Sequence, residues 1–127
     1  MNKPTAAILG ASSDRSKYGN KSVRAHIAQG FDVYPINPKG GLIEDITVYK
    51  SLQEIPVKEL DRISVYLPPE LGMKMLPEIK AANAKEVWFN PGSESIELMV
   101  AAEEMGINAI VACSIVDIGS HPAEYQD

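Results

Sequence analysis

Residues 5–30 read "TAAILGASSDRSKYGNKSVRAHIAQG". An apolar run of strand length, Thr5 to Gly10, meets a loop bracketed by Gly10 and Gly19. A helix is predicted over Asn20–Gln29, where Val23 and Ile27 stand four apart. Gly30 supplies its stop, the residue type that most easily takes the left-handed helix terminus. A strand, a glycine- and hydroxyl-bearing loop and a helix start together offer free backbone N–H groups and the helix's positive end to a phosphate. Arg15, Lys17, Lys21 and Arg24 place four cations close together, which suits a pyrophosphate. The alternative is that the glycines serve a tight strand-to-helix turn while the cations face water.

Working outward, Phe31–Asn37, Arg62–Leu67, Glu86–Asn90 and Asn108–Ala112 are further runs of strand length that stop at Asn, Leu or Ala beside Gly, Pro or Cys. Leu71, Met75, Leu76 and Ile79 form a helical stripe after Pro68-Pro69, with Pro77 predicting a kink or a restart. Ser93 and Glu94 are expected to open the last helix and Gly106 to close it. Residues 38–56 are less regular: a loop, an extended piece near Val48 and a short helix around Ser51–Glu54. Strands alternating with helical crossovers predict an α/β, Rossmann-like three-layer fold with a five-stranded parallel sheet in the order 3-2-1-4-5. Ligands on such sheets lie at the carboxyl ends of the strands where the chain reverses direction, which is where the opening loop falls.

A chain of 127 residues is one domain's length, read here as residues 1–127. Its net charge of −5 argues against nucleic-acid or membrane-surface partners, so a bound anion must be held by local geometry. The one cysteine, Cys113, cannot form an internal disulfide, and no apolar stretch reaches the length of a membrane span or resembles a signal peptide. A cytoplasmic protein is expected.

The usual dinucleotide fingerprint, G-x-G-x-x-G with an acid about 20 residues on, is missing. The second strand ends "YPINPKGG", with no carboxylate before Glu44, and Lys39 stands where the acid would be. A cation there suits a phosphate on the adenosine ribose, as in NADP or coenzyme A, and makes NAD the weaker candidate.

These segments taken in order, "ILGASSDRSKYG", "VYPINPKGG", "SLQEIP", "VYLPP", "VWFNPG" and "ACSI", resemble the CoA-binding domains, which include small stand-alone bacterial proteins and the N-terminal domain of the succinyl-CoA synthetase α subunit. The resemblance implies that Gly10, Ser12, Ser13, Arg15, Lys17, Tyr18 and Gly19 form the loop around the pyrophosphate. It puts Pro38 and Lys39 at the adenosine and its 3′-phosphate, and Pro68, Phe89, Asn90 and Pro91 on the ligand's other flank. The fourth segment departs from the pattern, since many small relatives carry Gln and a small residue where this chain has Asn90 and Pro91. The synthetase's phosphorylated histidine and nucleotide site lie beyond its CoA domain, so non-catalytic binding of coenzyme A or an acyl-CoA is implied. The alternative is an NAD(P)-binding oxidoreductase or redox sensor on the same fold. The small-molecule ligand leaves any protein partner undefined.

The remaining chemistry-bearing residues read as structural. His26 is expected inside the first helix as a boundary or surface residue rather than a ligand, and His121 in a mobile tail. No metal-ligand spacing and no nucleophile–base pair is visible. Cys113 is expected as a small buried residue, with capture of the ligand's thiol as the alternative. Trp88 is expected as an anchor between sheet and helices, and Met73, Met75, Met99 and Met105 as core filler.

Overall fold

The computed structural model describes residues 3–126. Strand β1 (Thr5–Leu9) leads through the glycine loop into α1 (Tyr18–Ala28), and β2 (Asp32–Ile36) follows. A two-residue-per-strand hairpin, β3 (Leu42–Ile43) and β4 (Ile46–Thr47), and a 3-10 turn at Leu52–Glu54 lead to β5 (Leu60–Val65). The remaining elements are α2 (Pro69–Ala81), β6 (Ala84–Phe89), α3 (Ile96–Glu104), β7 (Ala109–Val111), the short α4 (Ser114–Asp117) and a 3-10 turn at Pro122–Glu124. All pairings in the five-stranded sheet are parallel, in the order β2-β1-β5-β6-β7.

The α/β fold with a five-stranded parallel sheet agrees with the sequence, but the strand order needs one correction. The third run of strand length became β5, which lies beside β1 rather than outside β2. The place outside β2 goes to the extended piece around Val48, where Tyr49 makes a single parallel bridge with Ile36. There Tyr49 N donates to Pro35 O and Asn37 N donates to Tyr49 O. The sequence order counted strands by length, and this piece is too short to register as one. The chain therefore reverses direction between β1 and β5, and the carboxyl end of β1 lies at that point.

Both faces of the sheet are buried, as parallel sheets require. On one face Ala7, Leu9, Ile63, Val65, Val87 and Phe89 pack under Leu76, Ile79, Leu98 and Ala102 of α2 and α3. Met73, Met75, Met99 and Met105 border this cluster as filler. On the other face Ala6, Ile8 and Val33 pack with Val23 of α1, and with Ile43 and Val48 from the hairpin segment.

Local details depart from the sequence reading in instructive ways. Pro77 sits inside a helix that runs unbroken from Pro69 to Ala81, because Leu76 and Ile79 on either side of it are buried and hold the helix against the sheet. The cap of α3 is Ser95, whose Oγ accepts from Leu98 N at 3.1 Å. Ser93 closes the preceding turn instead, donating to Asn90 O at 2.7 Å. Trp88 is buried, but its ring supports a cation: the Arg62 guanidinium lies 4.8 Å from its centroid and 5.4 Å from that of Phe31. Arg62 also donates to Asp117 at 2.8 Å, which fastens α4 to the sheet.

Candidate functional site

The loop between β1 and α1 owes its shape to two close approaches. Gly10 has φ of +92°, and a Cβ there would lie 2.6 Å from Tyr66 O. A Cβ on Gly19 would lie 2.3 Å from Gly10 O. The bracketing glycines therefore let the first turn of α1 rest directly on the end of β1. Lys17 is the N-cap and provides no side-chain cap for the helix. As a result the amides of Tyr18 and Gly19, like those of Ser12 and Ser13, have no acceptor among the described residues. Unfilled N–H groups at the positive end of a helix are suited to bind an anion.

Two buried or half-buried asparagines staple the loop. Asn37 Nδ2 donates to Ala11 O at 2.8 Å, while its Oδ1 accepts from Lys39 N at 2.9 Å. This brings the Lys39 backbone beside the loop, with Pro38 and Lys39 both exposed. Asn20, fully buried, donates to Ser12 O at 2.9 Å and to Glu44 Oε2 at 3.2 Å. Within the loop Asp14 Oδ1 accepts from Ser16 N and Ser16 Oγ, and these bonds hold its carboxyl below the usual range.

Of the four cations singled out in the sequence, Arg24 is structural. Its Nε donates to Asn20 Oδ1 at 2.7 Å, and its two terminal nitrogens donate to the carbonyls of Arg15 and Gln126. Arg15 reaches Glu44 at 3.5 Å, with half of its side chain exposed. Lys17 lines the cleft in front of the loop, and Lys21 lies over the Tyr18 ring, 5.5 Å from its centroid. Glu44, which the sequence reading does not single out, also reaches the loop. It stands eight positions past the end of β2, and only the folding back of the β3–β4 hairpin brings it to the loop.

In front of the loop, a cleft of ≈ 390 Å³ is lined by Gly10, Lys17, Gly19, Pro68 and Ser93 among others. It adjoins a second cleft of ≈ 470 Å³ that includes Lys21, Asn90, Cys113, Val116 and His121. Tyr18, Tyr66 and Pro91 line both, so the two form one groove over the carboxyl ends of the strands. Cys113 is half-buried in its wall, more open than a buried core residue.

The floor of this groove is a hydrogen-bonded polar network. Ser114 Oγ lies 2.6 Å from Ser64 Oγ and 3.2 Å from Tyr66 Oη. Asn90 Nδ2 donates to Ser64 Oγ at 2.9 Å and to Val65 O, and Asn90 Oδ1 accepts from Ser114 N at 2.8 Å. Asn90 is therefore a bolt between β5, β6 and α4, and its polar atoms are used by the protein. Burial raises the Tyr66 phenol above its usual range, against the smaller opposing effect of the neighbouring hydroxyls, so it stays protonated.

Two expectations are corrected here. Phe89 has no exposed surface and packs into the core under α2 and α3, so it cannot form the ligand's flank. The alternation along β6 sends Val87 and Phe89 to that face. His26 lies inside α1 and is fully buried rather than at the boundary of the core or the surface: its Nδ1 donates to Ser22 O at 2.8 Å, and burial lowers its pKa from 6.5 to about 4. The described residues contain no group of three His, Cys, Asp or Glu side chains that could hold a metal ion. No helix among them is long and apolar enough to cross a membrane.

Comparison with known proteins agrees with this geometry. A model of the CoA binding domain matches residues 4–119. The chain is 32% identical over 84 residues to the α subunit of the ADP-forming acetate–CoA ligase II of Pyrococcus furiosus, a match over 64% of this chain and 18% of that subunit. Among solved structures, a conserved hypothetical protein from Pyrococcus furiosus superposes with a TM-score of 0.80 at 33% identity, covering 91% of this chain and 99% of that one. A Thermus thermophilus protein gives 0.81 at 32% identity, covering 91% and 87%. The glycine-bracketed loop, the groove at the switch point and a match that runs nearly the length of the chain agree in one conclusion: this protein belongs to the CoA-binding domain family.

Proposed function

We propose that the protein binds coenzyme A or an acyl-CoA in this groove as a non-catalytic binding or regulatory module. The observation that carries the reading is the row of unfilled amides at Ser12, Ser13, Tyr18 and Gly19, on a loop flanked by Arg15 and Lys17. Such a loop suits a pyrophosphate in a protein whose overall charge is negative. Lys39, tied beside the loop by Asn37, would meet the 3′-phosphate. The pantetheine arm would run along Tyr18, Tyr66 and Pro91, past Pro68, into the cleft that Cys113 lines.

Binding without catalysis is favoured by the floor of the groove. The Ser64, Ser114 and Tyr66 hydroxyls are bonded to one another, and the raised Tyr66 phenol is no general base. An NAD(P)-linked role on the same fold is the reading this displaces. We further propose a cytoplasmic protein with a small-molecule nucleotide ligand and no nucleic-acid or membrane partner. Calorimetric titration with CoA, acetyl-CoA, NAD and NADP tests the reading. Heat of binding is expected mainly from the CoA species, and tight NAD binding without a CoA signal would sink it.

A further inference from the structure

We infer that Glu44 is a specificity residue that accepts the free 2′-hydroxyl of the adenosine ribose and repels a phosphate at that position. The inference rests on the proposed CoA site and goes beyond it. Glu44 and Asp45 form the two-residue turn of the β3–β4 hairpin with φ of 49° and 62°, both left-handed and neither a glycine or asparagine. A two-residue hairpin of this kind requires positive φ at both central positions, so the turn fixes the backbone from which the Glu44 side chain reaches the loop.

The surroundings of the side chain indicate that role. Glu44 Oε2 accepts from Asn20 Nδ2 at 3.2 Å and faces Arg15 Nε at 3.5 Å. Asn20 is fully buried, so releasing the carboxylate would leave a buried N–H without a partner; Glu44 is held in place. Both contacts fall on Oε2, and Oε1 has no hydrogen-bond partner among the described residues. The same Asn20 amide holds Ser12 O, while Asn37 joins the preceding carbonyl, that of Ala11, to Lys39 N. A fixed carboxylate and the backbone of Lys39 therefore flank the same dipeptide of the loop. A fixed carboxylate accepts a hydroxyl and rejects a phosphate, while the ammonium favours the phosphate. Coenzyme A, with a 2′-hydroxyl and a 3′-phosphate, satisfies both; a 2′-phosphorylated ribose satisfies neither.

The test is calorimetry at fixed ionic strength with CoA, adenosine 3′,5′-bisphosphate and adenosine 2′,5′-bisphosphate. Wild type, Glu44→Gln and Asp45→Asn are compared. Gln keeps an oxygen for Asn20, and Asp45→Asn removes the same net charge from an exposed position in the same turn. Wild type and Asp45→Asn are expected to prefer the 3′,5′ isomer by about tenfold or more, and Glu44→Gln to reduce that preference to about threefold or less. If CoA binds wild type but Glu44→Gln leaves the preference unchanged, the role of Glu44 is overturned while the site stands. If Asp45→Asn erodes the preference as much as Glu44→Gln, general electrostatics replaces the specific contact. If CoA does not bind wild type, the site reading fails and takes this inference with it.

Discussion

Replacing Gly19 by alanine tests whether the glycine bracket is what shapes the loop. The added Cβ would lie 2.3 Å from Gly10 O, 3.2 Å from Gly10 C and 3.3 Å from Ala11 Cα. All three are backbone atoms just past the end of β1, so no side chain can swing away. Relief requires α1 to move off β1, and with it Val23, which is fully buried against Ala6 and Ile8. Overpacking of this kind costs typically 1–3 kcal/mol, and a backbone obstacle puts the expected loss near the top of that range, about 3 kcal/mol. For a chain of this size each kcal/mol is worth roughly 3–5 °C, so thermal unfolding should fall by about 10 °C. Gly72→Ala is the reference. Its Cβ meets a single side-chain atom, Leu98 Cδ2 at 3.3 Å, and the roughly 1 kcal/mol gained in helix propensity offsets that contact, so little net change is expected. CoA affinity should drop with Gly19→Ala, because the Tyr18 and Gly19 amides move with the helix. If Gly19→Ala unfolds within about 2 °C of wild type, the close approach does not hold the loop and the reasoning fails.

Three further outcomes are expected. Lys39→Ala should weaken CoA binding by about tenfold and leave 3′-dephospho-CoA nearly unaffected, and a double-mutant cycle with coupling near zero would remove Lys39 from the site. Asp117→Asn leaves the buried Arg62 with Glu86 alone at 3.4 Å; a loss of about 1–2 kcal/mol by urea unfolding is expected, below that of a fully buried pair because Asp117 is 39% exposed. His26 binds its proton more weakly folded than unfolded, so its contribution is fully present above pH 6.5 and declines as the pH falls towards about 4. The full decline corresponds to about 3 kcal/mol, and the urea midpoint of His26→Gln should change less than that of wild type across the same interval.

Much of the fold could be read from the chain because parallel strands buried on both faces leave short apolar runs between helical stripes. Element boundaries were less legible. The start of α1 lies at Tyr18 because Lys17 is its N-cap, and a lysine gives no capping signal. Both Ser93 and Ser95 precede α3, and only the position of the accepting Oγ relative to Leu98 N decides between them. The strand order is not legible in the sequence because one bridge at Tyr49, too short to stand out as a strand, takes the edge beside β2.

The site shows the same division. The glycine loop and Lys39 stand out as residue types in sequence order. The alternation along β6 turns Phe89 into the core, and no sequence signal separates Arg24, bonded to Asn20 and two carbonyls, from the other three cations. Glu44 gave no signal, since its place depends on a hairpin whose turn carries two charged residues in the left-handed region.

The central claim is that coenzyme A lies across the carboxyl ends of the strands with its phosphates on the loop from Gly10 to Gly19. Its most direct test is nuclear magnetic resonance of the ¹⁵N-labelled protein during titration with CoA. The largest amide shifts are expected at Ser12, Ser13, Tyr18 and Gly19, with further shifts at Lys39, Gly40, Tyr66 and Gly92. Shifts confined to the opposite end of the sheet, around Thr5, Glu59, Asp61 and Lys85, or no shifts at saturating CoA, would contradict it.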